Sequence, residues 1–252
     1  MKCIIPEERN DALCGLRNIR QRFFLYDAHL HRVFAHQNAL ETVCEEIVTQ
    51  KRHYHALLLA NYKMKFESLC YREKNIDFFG KKGISWHVTV VFYLSDDYGC
   101  EVESSYLHHL SMLYHDHIVQ GDTQQDGSAV ASLLEVAIMR LEVDLPKVRE
   151  VLVLSDNVAC YQNTTLPLIL TFIAKGNGFS LLRFMHTETL DGKSMLEVHF
   201  AIALRHVSKI FAEGMDVKTP STLVTALRAG SGLKNTAAEL IRLDRKNIKL
   251  RT

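Results

Sequence analysis

An asparagine stands directly after an apolar run, at a place in the sequence where chemistry is common. The run is Leu-Leu-Leu-Ala at residues 57–60, and Asn61 follows it. A buried strand fixes the first polar side chain beyond it rigidly, as a reacting group requires. Most chemistry at such a point uses a carboxylate, so an uncharged amide needs an explanation.

Carboxylates further along the chain could join Asn61 in a metal site. Phosphoryl transfer on a nucleic-acid backbone uses two divalent cations about 4 Å apart, and Mg²⁺ or Mn²⁺ requires clustered oxygen ligands. Asp156 follows a second strand-like run, while Glu197 falls at the start of a predicted helix. We expect Asp156 and Glu197 to be metal ligands. The side-chain carbonyl oxygen of Asn61 can accept a hydrogen bond or coordinate a cation weakly, but it cannot bridge two cations as a carboxylate does.

Structural roles compete with each of these assignments. Asp156 could cap the next segment, and Asn61 could hydrogen-bond its own turn. Residues 194–197, Ser-Met-Leu-Glu, fit the capping-box pattern, which alone would explain Glu197. Glu188 and Asp191 could be ordinary loop residues. Spacing alone does not decide between these roles and catalysis.

Neither the histidines nor the known phosphate-binding motifs indicate a second kind of functional site. His115 and His117 share one strand face, as do His53 and His55, but zinc needs three or four ligands and no third is evident. The sequence has no phosphate-binding loop, dinucleotide fingerprint or serine elbow. A protein acting on a small phosphorylated molecule is therefore the least favoured class.

Composition restricts the class of protein. The chain has 252 residues, 47% of them hydrophobic and 23% charged, which suits one large domain or one domain with an appendage. No run approaches a membrane span, and residues 1–9 do not resemble a signal peptide. Six scattered cysteines indicate reduced thiols in an intracellular protein, nuclear or cytoplasmic.

The order of predicted elements is that of the ribonuclease-H-like α/β fold. Apolar periodicity, turn residues and helix breakers define the elements. They are a helix at 11–50, strands at 55–67 and 83–100, a third strand at 105–119 for which a helix is the alternative, a helix at 126–142, a strand at 150–154, a helix at 165–175, a strand at 179–186, a helix ending at Gly214 and another beginning at Pro220.

In this fold the first strand, the end of the fourth strand and the last core helix converge. Asn61, Asp156 and one of Glu188, Asp191 or Glu197 would therefore meet. We divide the chain into a helical segment at 1–54, a ribonuclease-H-like core at 55–214 and a helical basic tail at 215–252.

Charge is distributed unevenly. The net charge is +1, but residues 228–252 carry +5 and the rest carries −4. A basic tail can neutralise phosphates, although a solvated terminal helix is the alternative. The candidate contacts to nucleic acid are Lys63, Lys65, Lys81, Lys82, Lys193, Arg242, Arg245 and Lys246.

Three blocks resemble the DDE-type transposases of eukaryotic DNA transposons, which have a ribonuclease-H-like core. The blocks are NYKMKFESLCYREKNIDFFGKKGISWH, VLVLSDNVACYQN and HTETLDGKSMLEVHFA, and the resemblance covers roughly residues 25–230. The family has an aspartate where this chain has Asn61. Its Ser-Asp-Asn matches residues 155–157, and its third acid, usually an aspartate, falls on Glu197.

The resemblance implies metal-dependent cleavage and transfer of DNA strands, impaired here by Asn61. If the protein is active, its cofactor would be Mg²⁺ or Mn²⁺. If it is inactive, it would need no cofactor. Asp156 would be catalytic together with Glu197 or Glu188. The partner would be DNA, the chain could form a homo-oligomer, and no association with a membrane is expected. Whether the chain is an enzyme stays open. The alternative is a non-catalytic DNA-binding or assembly protein derived from a transposon, decayed or domesticated.

Overall fold

The computed structural model describes residues 6–72, 81–95, 106–121, 123–187 and 195–243. A short 3₁₀ helix at Tyr106–His109 precedes the third strand. The other elements are α1 Pro6–Thr49, β1 His55–Phe66, β2 Ile84–Tyr93, β3 Ser111–Gln120, α2 Gly127–Asp144, β4 Glu150–Ser155, α3 Leu166–Gly176, β5 Ser180–His186, α4 Met195–Ala212, α5 Pro220–Arg228 and β6 Thr236–Arg242.

The strands form one six-stranded mixed sheet in the order β5-β4-β1-β2-β3-β6. β1, β2 and β3 are an antiparallel meander. β4 returns beside β1 and runs parallel to it, and β5 continues parallel to β4. This strand order and these directions confirm the ribonuclease-H-like fold class.

Side-chain alternation divides the core between the two faces of the sheet. Leu57 and Leu59 of β1 pack with α4, α5 and the end of α1, on what we name the α4 face. Leu58 and Ala60 pack with α2 and α3, on the α2 face. Because helices cover both faces, β1 and β4 read as nearly continuous apolar runs.

The expected helical tail is wrong in part. α5 begins at Pro220 as predicted and carries a capping box from Thr219, but residues 236–242 form β6 rather than helix. Gly230, Gly232 and Asn235 have positive φ and turn the chain back. β6 then pairs with the open edge of β3, and this pairing outweighs the local helix propensity. The division into three domains stays a prediction.

The helix α2 begins where the sequence predicted. The carboxylate of Asp126 accepts a hydrogen bond from the amide of Ala129 at 2.9 Å, which confirms the expected N-cap. In the described part of the chain, no helix has the length and apolar character needed to cross a membrane.

Two stacked histidines lie inside the α2 face. The rings of His87 and His117 are parallel, with their centroids 5.8 Å apart, and both side chains are buried. Burial lowers the pKa of His87 to about 3 and the pKa of His117 well below its ordinary value. Both imidazoles are therefore neutral in the folded protein at neutral pH.

We predict that acid destabilises the protein through these histidines. The unfolded chain binds protons below pH 6.5, whereas folded His87 binds none until about pH 3. The free energy of unfolding therefore falls as the pH drops through that window. His87→Leu should reduce the slope by about 1.4 kcal/mol per pH unit, measured by urea denaturation. The control is His31→Leu, at an exposed position on α1; equal slopes in the two variants would contradict the prediction.

Candidate functional site

The pairing of β1 with β4 places Asn61 beside Asp156. Ala60 and Ser155 are register partners on the two parallel strands, and the amide of Asp156 donates to the carbonyl of Ala60 at 3.3 Å. Asn61 and Asp156 occupy the next position on each chain. Because neighbouring parallel strands alternate in step, both side chains lie on the same face.

That face is the one covered by α4. Asn61 continues the row of Leu57 and Leu59, and Asp156 continues the row of Leu152 and Leu154. Three of these leucines are buried in the core on the α4 face, and the partly buried Leu59 packs against it. Both polar residues are only partly buried. They therefore form a polar pair where an apolar core ends at the carboxyl edge of the sheet.

Asp156 does not cap the following helix. Its Oδ1 accepts a hydrogen bond from the amide of Asn157 at 2.7 Å, whereas α3 has Thr165 at its N-cap position. Burial raises the pKa of the Cys160 thiol, and the nearby charge of Asp156 adds to this. The carboxylate thus lies in the turn that leaves β4.

The third acid is not assigned. Glu197 lies in the first turn of α4 with an exposed side chain, while α4 buries Leu196 and Phe200 on another side. Glu188, Asp191 and Lys193 lie outside the described residues. The structure therefore brings Asn61 and Asp156 together and leaves their third partner as a prediction.

One carboxylate and one amide do not fit a pair of divalent cations. Within the described ranges, no group of three or more histidine, cysteine, aspartate or glutamate side chains is arranged to hold a metal ion. Asn61 supplies a neutral oxygen where a second charged ligand would be needed. Asn61 and Asp156 by themselves therefore supply one negative charge, and the candidate acids Glu188 and Asp191 lie outside the described residues.

A buried carboxylate that the sequence reasoning missed lies two strands away. Asp116 is 0% exposed and shares the row of Asn61, since Val88 pairs with both residues. Trp86 Nε1 donates to its Oδ1 at 2.6 Å, and His199 Nε2 donates to its Oδ2 at 2.8 Å. Asp116 therefore fastens α4 to the sheet.

The sequence contained a signal for this contact. An aspartate interrupts an otherwise apolar face of a strand, and a buried charge requires partners. The ring of Tyr114 stacks on His199 at 4.2 Å, which also fixes the imidazole. Asp116 thus makes its long-range contact with α4, whereas His115, on the opposite face, lies 3.2 Å from Asp144 of α2.

A second polar contact joins the ends of β4 and β5. Ser155 is buried, and its Oγ lies 2.9 Å from His186 Nδ1. Burial lowers the pKa of His186. This contact fixes the strand ends next to Asp156.

Four of the predicted DNA-contacting lysines lie at the same edge of the sheet. Lys63 and Lys65 lie near the C-terminal end of β1, and burial lowers the pKa of Lys63. Lys81 and Lys82 precede β2, whose first residue pairs with Phe66 at the end of β1. The lysines therefore surround the end of the strand that carries Asn61.

Arg242 extends this basic edge on the far side of the sheet. It is exposed at the end of β6 and pairs with Gln120, the last residue of β3. β3 and β6 run in the direction of β1, so their ends lie at the same edge. Arg245 and Lys246 fall outside the described residues.

Comparison with solved structures finds a distant likeness to a chain in the crystal structure of a pre-cleavage Mos1 transpososome. The match has 12% sequence identity and a TM-score of 0.33, and it covers 74% of this chain and 60% of that chain. This chain thus spans less than two thirds of that one. No family model matches the sequence, and no curated protein matches it. The fold assignment rests on the strand order and directions.

We predict that Asp116→Ala destabilises the protein by about 3 kcal/mol, because it leaves Trp86 and His199 buried without their acceptor. Urea denaturation measures the change. The control is Asp11→Ala, at an exposed position on α1. Equal urea midpoints for the two variants would show that Asp116 does not tie α4 to the sheet.

Proposed function

We propose that this chain is a transposase-derived ribonuclease-H-like domain whose metal-dependent cleavage of DNA strands is impaired by Asn61. The observation that carries the proposal is the position of Asn61 beside Asp156, at the carboxyl edge of adjacent parallel strands. The sequence blocks that resemble DDE transposases begin at this asparagine and contain this aspartate, which supports the ancestry.

The impairment follows from charge. Two divalent cations bring four positive charges into a small volume, and carboxylates offset them. With Asn61 in the first position, Asp156 is the one anionic side chain of the pair. Glu197 or Glu188, as the third residue of the site, would add a second negative charge. This set would hold a first ion weakly and a second ion poorly.

A non-catalytic role in binding or assembling on DNA is the second candidate function. Lys63, Lys65, Lys81, Lys82 and Arg242 share the edge of the sheet that carries Asp156. Cations at one edge attract a phosphate backbone whether or not strand cleavage follows. Such a protein would act on DNA in the nucleus, or be held in the cytoplasm.

We predict that Asn61→Asp tightens Mn²⁺ binding by at least about tenfold, because it places a second carboxylate beside Asp156. Isothermal titration calorimetry measures the affinity. The matched control is Asn38→Asp, the same change at an exposed position on α1. Asp156→Ala in the Asn61→Asp background should remove the gain.

Two results would contradict this proposal. Equal Mn²⁺ affinities of the Asn61→Asp and Asn38→Asp variants would mean that residue 61 does not contribute to an ion site with Asp156. Robust nicking of supercoiled DNA by the unaltered chain in Mg²⁺ or Mn²⁺, abolished by Asp156→Ala, would show that the asparagine is tolerated in catalysis.

We predict that DNA affinity falls steeply with salt and depends on the basic edge. Lys65→Ala with Lys82→Ala should lower the slope of log K against log salt concentration by about 2, roughly one for each lost phosphate contact. The control pair is Lys175→Ala with Lys209→Ala, both exposed on helices away from this edge. Absence of binding at low salt would remove DNA as a partner.

A further inference from the structure

The N-terminal half of α1 exposes an unusual amount of apolar surface. α1 has 44 residues and is therefore about 66 Å long, and its last turns pack Cys44 and Ile47 into the core. A contiguous apolar surface of this kind marks an interaction site. Its large exposed side chains, between 45% and 70% accessible, are Leu13, Leu16, Ile19, Phe23, Phe24, Leu25, Tyr26 and Phe34.

Four of these eight side chains belong to a heptad pattern that continues into the core. Apolar residues recur at alternating spacings of three and four, as in a coiled coil. We name this row the α1 seam. Its members are Leu16, Ile19, Phe23, Tyr26, Leu30, Val33, Gln37, Leu40, Cys44 and Ile47.

The α1 seam has a partner over its second part and none over its first. Leu40, Cys44 and Ile47 pack against the sheet-bound core. Leu16 and Phe23 are 62% and 70% exposed. The same stripe that docks the helix onto its own domain thus continues outward without cover in the described part of the chain.

We propose that residues 16–37 of the α1 seam pair with the same residues of a second copy of this chain in a parallel two-stranded coiled coil. The paired segment would be about 33 Å long. Burying its exposed leucine, isoleucine and aromatic side chains from both copies removes on the order of 1,000 Å² from water, the lower limit for a specific interface.

The charges beside the seam favour a second copy in parallel orientation. Arg22 and Asp27 flank the seam on opposite sides and are five residues apart, the spacing that brings them together across a parallel pair. By symmetry the pair forms twice. Gln37, the polar member of the seam, would meet its own copy and fix the register, as a polar residue in such a seam does.

This pairing does not rest on the proposed function, but it has a consequence for it. In a parallel pair both domains lie at the same end of the rod. Two basic edges would then be held close together, and a single DNA molecule could contact both with higher avidity than either alone.

The test is sedimentation equilibrium of the full chain with a matched pair of variants. Phe23→Glu changes a residue of the seam. Phe24→Glu makes the same change at the neighbouring position, which lies outside the seam and whose side chain is 63% exposed. The unaltered chain and Phe24→Glu should be dimers, and Phe23→Glu should weaken dimerisation at least about 100-fold. Neither residue belongs to the core, so the two variants should have the same urea midpoint at concentrations low enough for both to be monomeric.

Orientation is tested by charge reversal. Asp27→Arg should weaken the dimer, and adding Arg22→Asp should restore it, because the two residues face each other only in a parallel pair; Asp11→Arg, outside the seam, is the control. A monomer at about 100 μM, or equal losses in the Phe23 and Phe24 variants, would overturn the proposal. Failure of the double variant to recover would overturn the parallel arrangement.

Discussion

The parallel pairing of β1 with β4 is the constraint on which the candidate site depends. It fixes which residues are neighbours at the carboxyl edge, and strand alternation fixes the face to which they point. A slip of one residue in this register would turn Asn61 toward α2 and α3 and separate it from Asp156. The apolar rows that end at these two residues specify the register, so the packing of the core determines the polar pair.

The face that carries this pair is held together by a buried charge. Asp116 satisfies both carboxylate oxygens with Trp86 and His199, and so a charge that would otherwise be costly to bury fixes α4 across the sheet. α4 carries Glu197 in its first turn. Asn61 and Asp156 thus lie on a face whose helix is fixed by Asp116, and lysines lie at the same edge of the sheet.

The sequence predicted most elements because their signals are local. The run before Asn61 and the N-cap at Asp126 need no information from distant residues. β6 was missed because it is stabilised by pairing with β3 rather than by its own composition. The contact between Asp116 and His199 spans 83 residues, and no spacing rule reveals it. The neighbourhood of Asn61 and Asp156 was predictable only after the strand order had been inferred.

The most direct measurement of the central claim is the anomalous scattering of Mn²⁺ in crystals of the Asn61→Asp variant. The account predicts a peak about 2.1 Å from a carboxylate oxygen of the substituted residue and equally close to one of Asp156, at the edge of the sheet beside α4. The prediction is contradicted if the ion is bound by Asp156 without residue 61. It is also contradicted if the two side chains lie on opposite faces of the sheet.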